Sequence, residues 1–74
     1  MSEAYKPISC VNHERLEFAV LKRQWLEIEV LQGVHAGRHR LLPLDVYARE
    51  GVEWLDAQTE AGEKLALRLD HLRF

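Results

Sequence analysis

The 74-residue sequence predicts a mainly β domain with one N-terminal α-helix, its sheet rolled into a small antiparallel barrel of about five strands. Three observations carry that expectation. Trp25 to Gly33 alternates apolar and acidic residues and stops at a glycine; a period of two marks a strand with one buried and one wet face. Glu63 to Asp70 repeats the alternation, with Leu65, Leu67 and Leu69 on one face and Lys64, Ala66, Arg68 and Asp70 on the other. Upstream the period changes. Leu16, Ala19 and Val20 fall on one stripe at about 100° per residue, the pattern of a helix with a buried side.

Residues 1–10 read as an extended arm, because Pro7 pushes Lys6 out of helical geometry and supplies no backbone donor. A helix is expected over about 12–23, with Asn12 as its N-cap, Glu14 and Arg15 in the first turn and Lys22-Arg23 at the far end. The remainder, about 25–74, forms the barrel. Its first strand is Trp25 to Gly33, followed by a turn-like stretch, Val34 to Gly37. Arg38 to Leu44 resumes extended structure, and Pro43 marks an edge position or a bulge. Asp45 to Gly51 reads as a connection, Val52 to Gln58 as a strand and Thr59 to Gly62 as a hairpin loop. His71 to Phe74 either extends the Glu63–Asp70 strand after a bend or forms a fifth strand. Rolling these short strands together would remove exposed edges, with the Leu16/Ala19/Val20 stripe capping one open end. An open sheet with the helix across one face is the competing architecture.

Composition narrows the function. A chain this short makes one domain with little core to spare. Its 47% hydrophobic and 30% charged residues are those of a folded chain, while a net charge of −2 gives no footprint for nucleic acid. One cysteine, Cys10, excludes an internal disulfide framework. The N-terminus has no signal-peptide pattern and no apolar run is long enough to span a bilayer, so the expected location is cytoplasmic.

Chemistry finds no foothold. His13, His35, His39 and His71 lack the spacing of a metal site, since His35 and His39 would lie far apart along an extended segment. Cys10 with nearby His13 is not a catalytic arrangement, and a small apolar side chain packed under the helix explains it. The four glycines are dispersed in turns rather than clustered as a phosphate loop. No enzyme activity and no cofactor are expected. An RNA-binding surface would have to use Arg38 and Arg40 with Trp25, Tyr47 or Trp54, although acidic residues outnumber basic ones 12 to 10.

The distinctive surface is acidic and apolar together. Glu14, Glu17, Phe18 and Leu21 project from the side of the helix opposite its core stripe, and Glu27 and Glu29 from the first strand. Glu50, Glu53, Asp56 and Glu60 lie further on. A solvated charged face accounts for carboxylates alone, whereas an exposed phenylalanine among them is the mixture that protein-binding faces use. The competing reading folds Phe18 against the barrel rim.

Several short motifs point to one family. Tyr5-x-Pro7-Ile8-x-Cys10, Leu16-Glu17-x-Ala19 and Leu26-x-Ile28-Glu29 with a following glycine occur in order. After Asp45 come Val52-Glu53-Trp54-Leu55, Gly62-Glu63 and Leu67-Arg68-Leu69-Asp70. Over nearly the whole chain this pattern resembles the Rho-binding antiterminator (Rof-like) family. The resemblance implies an Sm-like β-barrel with an N-terminal helix. It also implies a bacterial regulator, a monomer that binds the N-terminal RNA-binding domain of the transcription termination factor Rho and blocks RNA loading. Such an inhibitor competes with RNA rather than binding it, with no membrane partner. On that expectation the Rho-binding residues are Asn12, His13, Glu14, Glu17 and Phe18, with Arg49 and Glu50 in an adjoining loop. The family pattern is richly acidic just before its Leu-Glu pair; here Val11 to Arg15 holds one carboxylate and one guanidinium, which shifts weight onto Glu17 and the loops. The alternative is an Sm-like RNA-binding module acting as a ring.

Overall fold

A computed structural model describes residues 10–74, with side chains from residue 12 onward. The arm expected over 1–10 therefore lies outside the described residues except at Cys10, which is helical. Helix α1 (Cys10–Lys22) leads into β1 (Leu26–Val30), β2 (Gly37–Arg49), β3 (Val52–Thr59) and β4 (Lys64–Arg68). A 3-10 turn (Leu69–His71) then delivers the chain to the short β5 (Leu72–Arg73). The strands form one antiparallel sheet in the order β4-β3-β2-β1-β5. The mainly β fold with one N-terminal helix is thus the fold found.

The order makes the sheet curl. Five flat strands would hold their outer members about 19 Å apart. Yet β4 and β5, at opposite edges, are joined by three residues whose 3-10 geometry spans only about 8 Å. The edges must approach each other, and the sheet becomes a barrel left open along the β4/β5 seam. The Arg68 guanidinium holds that corner with two bonds to Asp70, Nε to Oδ1 at 3.0 Å and Nη2 to Oδ2 at 2.7 Å. The Leu31 amide donates to the His71 carbonyl at 2.7 Å, carrying the β1–β5 contact past the ladder.

Alternation along each strand fills the interior. Ile28 and Val30, Leu41 and Pro43, Leu55 and Ala57, and Leu65 and Leu67 are all buried. Leu69 and Leu72 join the same core from the corner between β4 and β5, and Leu16 enters from the helix. No buried side-chain polar atom lacks a hydrogen bond among the described residues. The core stripe expected on the helix is correct: Leu16 and Ala19 are buried and Val20 is half-buried.

Three sequence expectations need correction. The helix begins at Cys10 rather than Asn12, so Asn12 sits inside it and its cap falls outside the described residues. Asp45 to Arg49 is no connection but the second half of a 13-residue strand. Pro43 pairs Ala57 and Asp45 pairs Asp56, which leaves Leu44 as the extra residue of a bulge. Pro43 is tolerated there because β1 pairs β2 only as far as Leu41. Finally, β1 is shorter than the expected Trp25–Gly33; of the two readings of the last four residues, a short fifth strand is the one found, at Leu72–Arg73 after the 3-10 turn.

Among the described residues, two that are not glycine adopt left-handed backbone. Glu50, at φ 53°, and Gly51, at φ 78°, form the two-residue turn of the β2–β3 hairpin between paired Arg49 and Val52. Positive φ at both positions is what a type I′ turn requires. Arg23, also at φ 53°, ends the helix. The Gln24 amide reaches the Ala19 carbonyl at 2.9 Å and the Arg23 amide the Val20 carbonyl at 3.4 Å, a Schellman closure. A side chain in this conformation costs about 1–2 kcal/mol, partly offset by the greater unfolded-state entropy of glycine. Arg23→Gly is therefore expected to stabilise the domain by about 0.5–1 kcal/mol, read as a higher urea midpoint at unchanged slope.

A candidate protein-binding face

His13 joins the helix to the sheet. Its Nδ1 lies 3.0 Å from Oε1 of Glu17, one turn on, and its Nε2 lies 2.8 Å from Oε2 of Glu53 on β3. Glu53 stands opposite Ala48 next to the turn that carries Glu50. The contact therefore brings the first turns of α1 beside the β2–β3 hairpin. Glu53, which lies outside the expected site, thereby links its two separate stretches, Asn12 to Phe18 and Arg49-Glu50. The glycine turn fixes the hairpin, and the helix period fixes His13 and Glu17 on one side. Their meeting across the fold has no local sequence signal.

The remaining candidates are placed as follows. Asn12 is half-buried, while Glu14, Arg49 and Glu50 are exposed. Phe18 is 53% exposed and Leu21 81%, so Phe18 does not fold down against the rim. The Lys22 ammonium lies 5.8 Å from the Phe18 ring centroid and the Arg15 guanidinium 5.3 Å from that of Phe74. Phe18 also lines a shallow groove with Glu14, Arg15, Gln24 and Leu26. A second groove runs between the helix and β2, lined by Glu17, Val20, Leu21, Asp45 and Val46. Leu21 and Asp45 lie outside the expected site, although helix periodicity alone sets Leu21 on the outer face; Asp45 carries no such signal, because the bulge at Leu44 hides its strand.

The carboxylates expected on the first strand have a different setting. Glu27 lies directly opposite Arg40, and Glu29 opposite Arg38 on β2 and Arg73 on β5. Opposite charges in register stabilise a sheet by about 0.2–1 kcal/mol. Both the supporting acidic field and the basic pair considered for RNA thus belong to one mixed-charge sheet face. On the next ladder, Tyr47 donates its hydroxyl to Asp56 Oδ1 at 2.9 Å, and that bond raises the Tyr47 pKa. His39 Nε2, on β2, donates to the His35 carbonyl at 2.7 Å and so ties the strand to the β1–β2 loop. Among the described residues no group of three or more His, Cys, Asp or Glu could hold a metal ion, and no helix is long and apolar enough to cross a membrane.

The chain matches no protein-family model, no curated protein and no solved structure.

The bond to Glu17 raises the His13 pKa above 6.5; burial opposes this and Glu53 reinforces it. A raised native pKa stabilises the fold fully below the unfolded value, and that contribution is lost as pH rises through the native value. The thermal midpoint should therefore fall more between about pH 6 and about pH 8 in the wild type than in His13→Gln. Parallel profiles for the two proteins would remove His13 as the cause.

Proposed function

We propose that this chain is an inhibitor of Rho-dependent transcription termination. In this reading the outer face of α1 and the β2–β3 hairpin occupy the RNA-binding groove of Rho's N-terminal domain. One observation carries it: the His13–Glu53 contact sets the acidic, apolar helix face beside the Arg49-Glu50 turn. Glu14, Glu17 and Glu50 supply negative charge at the surface, and Phe18 and Leu21 supply exposed apolar anchors. A site that captures RNA must be basic, and an acidic domain competes for it by charge complementarity. The motif resemblance supplies the identity of the partner. No cofactor or catalytic step is needed, and the expected form is a cytoplasmic monomer. The alternative, an RNA-binding ring, draws less support because Arg38 and Arg40 stand across from Glu29 and Glu27.

Glu14→Lys combined with Glu17→Lys is expected to abolish capture by purified Rho, a loss of at least about 100-fold, with the far-UV spectrum unchanged. Wild-type affinity should also weaken as salt rises, and competing RNA should displace the protein. Undiminished binding of the double variant in a calorimetric titration would take the helix out of the interface. A stable ring that shifts labelled RNA would instead establish the alternative.

A further inference from the structure

The groove between α1 and β2 has a volume of about 250 Å³, with Val20, Leu21 and Val46 as apolar wall and Glu17 and Asp45 as its acidic residues. Three features bear on what fills it. Leu21 is 81% exposed, so its wall is uncovered by the rest of the described chain. Asp45 lies in register opposite Asp56, and like charges directly opposite each other destabilise a ladder. Tyr47 gives Asp56 a hydrogen-bond donor, whereas Asp45 has no ion-pair partner among the described residues. Of the two cations at the helix's end, Lys22 lies over the Phe18 ring, and Arg23, just past the helix, lines a different groove with Leu42, Pro43 and Leu44. An apolar trough with carboxylates on two elements is complementary to a long aliphatic stem ending in a cation.

We infer that this groove is the docking site for one arginine side chain projecting from a basic protein surface. The stem would lie along Val20, Leu21 and Val46, and the guanidinium would bridge Glu17 and Asp45. Arginine fits better than lysine, because its planar fork donates to two carboxylates at once and is less strongly hydrated. The Glu17 oxygen engaged by His13 is Oε1, which leaves Oε2 for the incoming donor. A bridging cation would also relieve the Asp45/Asp56 repulsion. The inference deepens the proposed function and rests on its reading of α1 as a partner face.

The test uses methyl-labelled full-length protein titrated with N-acetyl-L-arginine amide, and with the neutral citrulline analogue as control. Saturable shifts of the Val20, Leu21 and Val46 methyls are expected with arginine only, lost in Asp45→Asn and weakened in Leu21→Ser. Both substitutions are at exposed positions, and the untouched core methyls report that the fold is intact. Equal shifts with citrulline, no shifts at these methyls, or shifts unaltered by Asp45→Asn would overturn the inference. In a parallel titration with Rho, Asp45→Asn is expected to lose about tenfold in affinity. Saturation by arginine amide without wild-type binding to Rho would refute Rho as partner and keep the groove. Rho binding without methyl shifts would do the reverse.

Discussion

A three-residue turn, Leu69–His71, ties together strands that lie at opposite edges of the sheet, and the rest of the molecule follows from that tether. A flat sheet cannot satisfy it, so the strands must coil until the end of β4 and the start of β5 meet at one corner. Coiling demands a bend in the strand shared by both halves. That strand is β2, which pairs β1 with its first part and β3 with its second. Leu44 supplies the bend as an extra residue, and buried Pro43 sits where one ladder has ended. The Arg68–Asp70 fork, with the Asp70 side chain only 5% exposed, holds the turn in the shape that the tether needs. The curled interior remains open toward the helix, and Leu16 enters the core there.

The sequence was legible wherever one physical period governed it. Strands β1 and β4 alternate cleanly and the helix stripe is regular, so their inward residues could be read directly. Strand β2 was misread because Leu41-Leu42-Pro43-Leu44 contains a phase slip: inward positions fall at Leu41, Pro43 and then Val46. A proline within an apolar run looks like an ending when read locally. The helix start was misplaced for a related reason, since Asn12 is a good cap by residue type although the backbone is already helical at Cys10. Arg23 was likewise invisible as a helix terminator, because glycine is the residue expected at left-handed backbone.

The candidate site was legible element by element but not as an assembly. Helix periodicity alone set Glu14, Glu17, Phe18 and Leu21 on the outer side, and the structure keeps them exposed. Cross-strand register is a different kind of information. It places Glu27 against Arg40 and Glu29 against Arg38, turning two apparent single-sign patches into one mixed face. It also aligns Asp45 with Asp56, two acids whose separation along the chain conceals their adjacency. The charge that can act on a partner is therefore distributed differently from the charge counted along the chain.

That redistribution sharpens the electrostatic argument. With a net charge of only −2, long-range attraction to a basic partner is weak, and complementarity must be local. The β1–β2 face contributes little to it, because its acids face arginines. The carboxylates of the helix and of its neighbouring strands carry more weight, and His13 tempers that region by lying between Glu17 and Glu53. Its protonation strengthens the helix–sheet contact and cancels one negative charge there, while deprotonation does the opposite. Fold stability and surface charge thus move in opposing directions through one imidazole. Phe18 and Leu21 supply contact that is insensitive to this exchange, which is why an acidic face built for a partner gains from apolar anchors beside its charges.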